Sequence, residues 1–310
     1  MGFNMEYELA IIGAGAAGYS ATIYAGRSGI KTIVLDKGLG GGIAIVSPKM
    51  ENYPGFESIS GVELMDKMKK HASKYGDIRF NEEVKKIEKI GEKFNIKTDK
   101  ESYSVKAVIL CLGTAYRKLN AKGEKELTGK GVSYCATCDG FFFKDKKVAV
   151  VGGGNSALIE AIFLKQIGCK EVYVIHRRDQ LRAEEAYKNE AIEKGVEIIY
   201  NTHVESIKGE QKVESLELHN VKTDKKFDFA VDGVFISIGE EPQNELAKQL
   251  GVKLDDRGFI ITDNQQRTNI KGVYAAGDVT GGLRQVVTAC SKGAIAALAS
   301  TEALGKKYPY

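Results

Sequence analysis

The sequence predicts an α/β fold of two Rossmann-like three-layer domains, one inserted in the other, each with an antiparallel β extension. Three observations predict it. A strand, glycine turn, helix and strand occur twice in succession; each copy is followed by period-two segments separated by hairpin breaks; and the chain ends in an apolar small-residue helix that cannot be a domain by itself.

In the first copy an apolar run from Glu8 to Ile12 leads into Gly13-Ala14-Gly15-Ala16-Ala17-Gly18. A helix of small residues continues through Arg27, and a strand from Thr32 to Leu35 ends at Asp36. The second copy has a strand from Lys147 to Val151, the turn Gly152-Gly153-Gly154-Asn155-Ser156-Ala157, a helix to about Gln166 and a strand from Glu171 to Ile175. Alternating segments follow each: Val84 to Ile90, Phe94 to Thr98 and Tyr103 to Leu112, then Val204 to Lys208, Val213 to Asn220 and Phe227 to Ile238. Gly91-Glu92-Lys93, Asp99-Lys100, Gly209-Glu210 and Asp224-Lys225 supply the breaks. Beyond Pro242 there is no third glycine turn, only Gly272-Val273-Tyr274-Ala275-Ala276-Gly277-Asp278 and a helix pattern from about Gln285 to Leu304. Such a tail needs a partner surface, so it is expected to pack back on the first copy. The expected division is residues 1–113 with 243–310, and 114–242 inserted between them.

Composition excludes several classes. The 45 basic and 41 acidic residues are mixed along the chain, and a net charge of +4 supports solubility rather than nucleic-acid binding. Apolar runs such as Val231 to Ile238 are far shorter than the roughly 18 to 20 residues that cross a bilayer. The N-terminus lacks the basic, apolar and small-residue succession of a secretory signal, so a cytoplasmic location is expected. Five cysteines are an odd number for a disulfide-stapled scaffold. One CxxC with four scattered histidines is a poor start for a metal centre, and none is expected.

The glycine turns have a mechanical purpose. Gly13 permits the sharp strand-to-helix turn, Gly15 lets backbone approach a pyrophosphate, and Gly18 lets helix and sheet pack closely. Phosphate is then expected over the helix N-terminus, where unpaired N–H groups favour negative charge. Asp36 ends the next strand, placed to accept hydrogen bonds from a ribose diol. In the second copy, with Gly152, Gly154, Asn155, Ser156 and Ala157 at the turn, that position is His176, followed by Arg177 and Arg178, with Arg182 nearby. Exchanging an acid for cations suits a 2'-phosphate, so NADPH is expected over NADH. A solvated basic turn is the plain alternative.

Cys135-Ala136-Thr137-Cys138 has redox spacing, although read alone it also fits half a metal site or two inert thiols. Its place just before the second glycine turn, in a chain with two nucleotide cradles, favours a two-electron acceptor supplied through FAD. Asp139 is the candidate acid for protonating a leaving thiolate; the alternatives are a helix cap or a solvent-facing carboxylate. Cys111, Cys169 and Cys290 read as packing residues, and His71, His203 and His219 as surface residues.

Together these residues resemble the low-molecular-weight thioredoxin reductase family over essentially the whole chain. The matching motifs are GAGAAG at 13–18, ENYPG at 51–55, CATCDG at 135–140, GGGNSA at 152–157, HRRDQLRA at 176–183 and YAAGDV at 274–279 followed by Arg284-Gln285. The resemblance implies that Gly13, Gly15, Gly18 and Asp36 hold the ADP part of a tightly, non-covalently bound FAD. Gly41, Gly42 and Asn52 would lie near the flavin, Asp278 on its ribityl-phosphate side, and Arg284, Gln285 and Val286 beside the ring. Ala16, Lys37, Gly113 and Gly277 complete the cofactor set. Cys138 would face the flavin and Cys135 would attack the partner disulfide. The implied activity is an NADPH-dependent thioredoxin-disulfide reductase acting on thioredoxin or a thioredoxin-like protein, as a homodimer. The alternative is a related flavin disulfide reductase that takes electrons from ferredoxin or another reductant, or that serves a peroxiredoxin-linked partner. The sequence departs from the family at Ile43, where a glutamine is common, and at Ile159, where an acid is common.

Overall fold

In a computed structural model, which describes residues 7–47 and 50–307, the chain forms two compact units, 1–115 with 241–310 and 116–240. The N-terminal leader at 1–6 lies outside the described residues.

Unit 1 is built on a five-stranded parallel sheet in the order Val273–Ala275, Ala107–Leu110, Leu9–Ile12, Thr32–Leu35, Asp77–Arg79. Its central strands are buried at every position and apolar at all but Thr32, because both faces are covered. Leu9, Ile11, Val34 and Ile109 join one core, with residues of the helices Ala16–Arg27, Gly61–Ala72 and Val286–Ala303. Ala10, Ile12, Ile33, Leu35, Val108 and Leu110 join the other, with Ile87, Phe94 and Ile96 of an antiparallel sheet made by Val84–Ile90, Lys93–Thr98 and Ser102–Val105. Helices, parallel sheet and antiparallel sheet are the three layers. The C-terminal helix approaches the first helix so closely that a Cβ on Gly293 would lie 2.2 Å from the Ala17 carbonyl oxygen.

Unit 2 repeats the plan. Its parallel sheet runs Val196–Ile199, Glu171–Ile175, Lys147–Gly152, Gly233–Ser237, Val132–Ser133. Val148, Val150, Val172 and Val174 face the helix Asn155–Gln166, whereas Ala149, Val151, Ile175 and Ile236 face Leu216 and Leu218 of the antiparallel sheet Thr202–Lys208, Ser215–Asn220, Lys225–Ala230. Read from the opposite edge, the strand order of unit 2 matches that of unit 1. The edge strand beside Ala107–Leu110 in unit 1 is supplied by the returning C-terminal segment, and its counterpart beside Gly233–Ser237 in unit 2 by the segment preceding Lys147–Gly152.

The expectation of one strand from Tyr103 to Leu112 and one from Phe227 to Ile238 is corrected in both units. Each run is two strands in two different sheets: Ser102–Val105 then Ala107–Leu110, and Lys225–Ala230 then Gly233–Ser237. At each switch a backbone N–H turns to the start of the central strand, Lys106 to Glu8 O at 2.9 Å and Asp232 to Lys147 O at 2.7 Å. No helix among the described residues is long and apolar enough to cross a membrane.

Candidate active site

The redox pair lies in unit 2 as a disulfide, with the Cys135 and Cys138 Cα atoms 5.3 Å apart. Cys135 immediately precedes a one-turn helix, Ala136–Asp139, and its carbonyl accepts the N–H groups of Cys138 and Asp139 at 3.2 and 3.1 Å. The turn therefore sets the spacing of the two sulfurs and carries the acid on the same short segment. Upstream, the buried Ser133 anchors it: its Oγ accepts the Cys135 N–H at 3.1 Å and donates to Oδ2 of Asp139 at 2.6 Å. Cys135 Sγ is 3.3 Å from Thr137 Oγ1. Both cysteines and Asp139 are partly exposed, as a group that exchanges with an outside disulfide requires. Ser133 has no motif signature, and sequence reasoning missed it.

The second glycine turn lies in the same unit. The helix Asn155–Gln166 starts from Gly154 with no side-chain cap and no acidic residue in its first turn, so its N–H groups are left for an anion. A Cβ at Gly154 would meet nothing within 4 Å, whereas at Gly152 it would collide with Ala157 Cβ and Ser237 O, both at 2.5 Å. Gly154 opens onto free space and Gly152 permits close packing, which also explains why Ala157 must be small. Ser156 is exposed beside the turn. Asn155 is tied to Glu184 by two hydrogen bonds, Nδ2 to Oε1 at 2.7 Å and Glu184 N–H to Oδ1 at 2.8 Å. Ile159, on the same helix, is exposed.

His176 does not share the exposure of the arginines that follow it. It is buried, with Nδ1 2.8 Å from Gly152 O and Nε2 2.9 Å from Gln180 O, and it fills the space that a Cβ on Gly153 would need. The ring thus braces the loop against the glycine turn, as does the Arg182 N–H on Gly153 O at 2.7 Å. Arg177, Arg178 and Arg182 are exposed and form no ion pair among the described residues.

In unit 1, the helix Ala16–Arg27 begins at Gly15, again without a side-chain cap or an acid in its first turn. Gly13 has φ +107°, and a Cβ there would lie 2.2 Å from Cys111 O; a Cβ at Gly18 would lie 1.9 Å from Gly13 O. Gly15 faces Gly42, its would-be Cβ 3.8 Å from the Gly42 Cα, so the gap over the helix end is one that side chains would fill. Asp36 is held at the edge of this gap, accepting Ala14 N–H at 2.7 Å and Gly38 N–H at 2.8 Å, and Gly41 N–H binds Ala14 O at 2.7 Å. Lys37 is exposed beside it. A bare helix end, a glycine-lined gap and an oriented carboxylate fit a dinucleotide such as FAD.

Asn52 and Gln285, far apart in sequence, meet at 3.0 Å, Nδ2 donating to Oε1. Gln285 also caps the C-terminal helix, which begins at Val286, in a reciprocal arrangement with Thr288. Gly277 approaches Ala17, bringing the Asp278–Thr280 turn beside the first helix. Lys292 secures that turn, Nζ donating to Thr280 Oγ1 at 2.8 Å and Gly281 O at 2.6 Å; it is a residue the sequence did not single out. Arg284 Nη1 donates to Gly282 O at 3.3 Å. Gly113 is in the left-handed region at φ +68° and its carbonyl accepts the Gln243 N–H at 3.1 Å, joining the two chain crossings on the unit 1 side.

A family model described as pyridine nucleotide-disulphide oxidoreductase matches residues 7–293. The chain belongs to this family. Membership implies a flavin and a pyridine nucleotide. The chain is 42% identical over 298 residues to a thioredoxin reductase of Treponema pallidum (strain Nichols), covering 95% of this chain and 96% of that one. Among solved structures it is similar to thioredoxin reductase from Streptococcus pyogenes MGAS5005, with a TM-score of 0.93, 42% identity and coverage of 97% and 99% of the two chains. The thioredoxin reductase of Giardia duodenalis matches with a TM-score of 0.90 and 34% identity over 97% of this chain and all of the other, 100%.

Proposed function

We propose that the chain is an NADPH-dependent thioredoxin-disulfide reductase, with FAD held by unit 1 and NADPH by unit 2. The observation that carries this reading is the Cys135–Cys138 disulfide on the same short turn as Asp139, in a chain with two bare-ended nucleotide cradles. Similarity to thioredoxin reductases over nearly the whole chain supports the partner.

Gly13, Gly15, Gly18 and the helix end after Gly15 would take the pyrophosphate, and Asp36 the ribose. Asn52, paired with Gln285, and the Asp278 turn would complete the FAD contacts. When bound, the flavin supplies two-electron chemistry between a nicotinamide hydride and a disulfide. Gly152, Gly154 and the Asn155–Gln166 helix end would hold the second pyrophosphate, with Arg177, Arg178 and Arg182 on the 2'-phosphate and His176 positioning their loop. In the reduced protein, Cys135 as a thiolate attacks one sulfur of the partner disulfide, and the other sulfur leaves as a thiolate that takes a proton. Cys138 then displaces the partner's remaining sulfur from Cys135, which re-forms the Cys135–Cys138 disulfide and leaves the partner as a dithiol. Asp139 holds the proton that a departing thiolate needs. Exposed Ile45, Val46 and Val62, on elements that touch through Ala44 and Gly61, support a homodimer through unit 1, which sedimentation equilibrium tests.

The functional test is anaerobic stopped-flow of the FAD-loaded protein with NADPH, followed by turnover of oxidised thioredoxin. Flavin reduction and NADPH-dependent appearance of thioredoxin thiols are expected. Flavin reduction without thioredoxin turnover overturns the partner, and reduction by ferredoxin but not NADPH overturns the electron donor.

A further inference from the structure

The outer face of the unit 2 antiparallel sheet carries a cluster that neither nucleotide cradle nor dithiol uses. His203 and His219 stand directly opposite each other on the strands Thr202–Lys208 and Ser215–Asn220, their rings edge-on and 5.0 Å apart. The register shifts between Val204 and Ser206, which makes Glu205 the extra residue of a bulge. Its carboxylate lies between the imidazoles: Oε1 is 3.2 Å from His203 Nε2 and 3.2 Å from His219 Nδ1. One ligand atom from each of the three residues lies within 4.8 Å of the other two.

Two further features point to a metal ion rather than to an ion pair alone. The second ring nitrogen of His219, Nε2, is 2.8 Å from Asp224 Oδ1. A carboxylate there holds the proton on Nε2 and leaves the Nδ1 lone pair facing the cluster, the arrangement by which proteins orient metal-binding imidazoles. The spacing also fits. Ligands bound at about 2.0–2.1 Å in a tetrahedron stand about 3.3 Å apart, close to the two 3.2 Å separations. Lys226 is the opposing charge, with Nζ 3.4 Å from Glu205 Oε1, but its side chain is 59% exposed and free to swing into solvent.

We propose that His203, Glu205 and His219 bind a divalent first-row transition ion, Zn²⁺ before others, with water in the fourth position and Asp224 behind His219. Two imidazoles and one carboxylate suit zinc or nickel and disfavour the hard cations Mg²⁺ and Ca²⁺. The ion would clip the bulged ladder of unit 2 across its first hairpin.

The test is calorimetric titration of the full-length, tag-free protein with Zn²⁺, with the Cys135–Cys138 disulfide closed so that the dithiol contributes no ligand. About one ion per chain is expected to bind, with no competition from Mg²⁺. His203→Ala and His219→Ala each weaken binding at least tenfold, and Asp224→Asn, which removes only the carboxylate behind His219, weakens it roughly tenfold. Zn²⁺ raises the thermal midpoint of the native protein but not of the double histidine variant, whose circular dichroism is unchanged. Absence of binding, or binding of equal strength in the double histidine variant, overturns the proposal.

Discussion

The Ser133 hydroxyl donates to Oδ2 of Asp139 at 2.6 Å while accepting the Cys135 N–H at 3.1 Å. One buried side chain therefore fixes the acid and the first cysteine of the redox pair together. General acid catalysis contributes roughly 10²- to 10⁴-fold, so Asp139→Asn is expected to lower thioredoxin turnover about a hundredfold. Ser133→Ala keeps the carboxylate but removes the hydroxyl that donates to it and is expected to cost roughly tenfold. Both losses fall on kcat, with the KM for NADPH unchanged. Ser133→Thr, which keeps the hydroxyl, recovers most of the rate. If Ser133→Ala raises the NADPH KM and leaves kcat intact, Ser133 acts on the nucleotide domain as a whole and not on the acid.

Arg177 and Arg178 are exposed cations beside a turn that His176 holds in place. Replacing both arginines by alanine is expected to raise the KM for NADPH roughly tenfold and that for NADH hardly at all, because only NADPH carries the extra phosphate. His176→Ala removes the brace under the glycine turn and is expected to raise both. Steady-state kinetics with the two nucleotides separate these outcomes, and equal effects of the arginine changes on NADPH and NADH would refute the phosphate assignment.

Four of the parallel strands, the first two of each unit's nucleotide motif, were readable in the sequence because a strand buried on both faces is mostly apolar and a glycine turn follows the first strand of each motif. Thr32 to Leu35 and Glu171 to Ile175 coincide with the observed strands. The pattern misleads at Lys106 and at Val231-Asp232, where strand-like segments on either side read as one run while the chain passes from one sheet to another. Hydrophobic period reports burial, not the identity of the covering layer. The redox pair and both glycine turns were visible as contiguous motifs. Ser133, Lys292 and the pairing of Asn52 with Gln285 were not, because each acts through a contact made by folding. His176 was legible as a member of the basic run but not as a brace, because only the absence of a Cβ at Gly153 leaves room for its ring to turn inward.

The three cysteines outside the redox pair are expected to be inert. Burial pushes the Cys111 thiol up to about 12, and burial with Asp145 nearby, against Lys165, pushes Cys169 up to about 11. Burial also raises Cys290. At pH 8 the thiolate fractions of Cys111 and Cys169 are then on the order of one in a thousand or less. Brief iodoacetamide treatment of the reduced native protein, read by peptide mass spectrometry, is expected to label Cys135 and Cys138 and to leave Cys111 and Cys169 unmodified until denaturant is added. Rapid labelling of Cys111 in native protein would contradict its burial under the first glycine turn.

Glu8 joins the start of the central unit 1 strand to the end of the C-terminal helix. Its Oε2 accepts Lys306 Nζ at 2.7 Å and the Lys31 N–H at 3.2 Å, and Lys306 also donates to Gly29 O at 2.7 Å. Burial raises the Glu8 carboxyl, but the Lys306 ammonium, the Lys31 N–H and Lys106 outweigh it and hold the group below its ordinary 4.5. A folded value below the unfolded one means that the stabilisation is fully present above about pH 4.5 and is lost as pH falls through the lowered value. Both side chains are partly exposed, so water limits the contribution to about 1 kcal/mol. Glu8→Gln is therefore expected to destabilise unit 1 by about that amount at pH 7 and by nearly nothing at about pH 3. Urea unfolding at the two pH values measures the difference. A deficit that persists undiminished in acid would show that the lost contact is packing of the Glu8 stem and not the charge on its carboxylate.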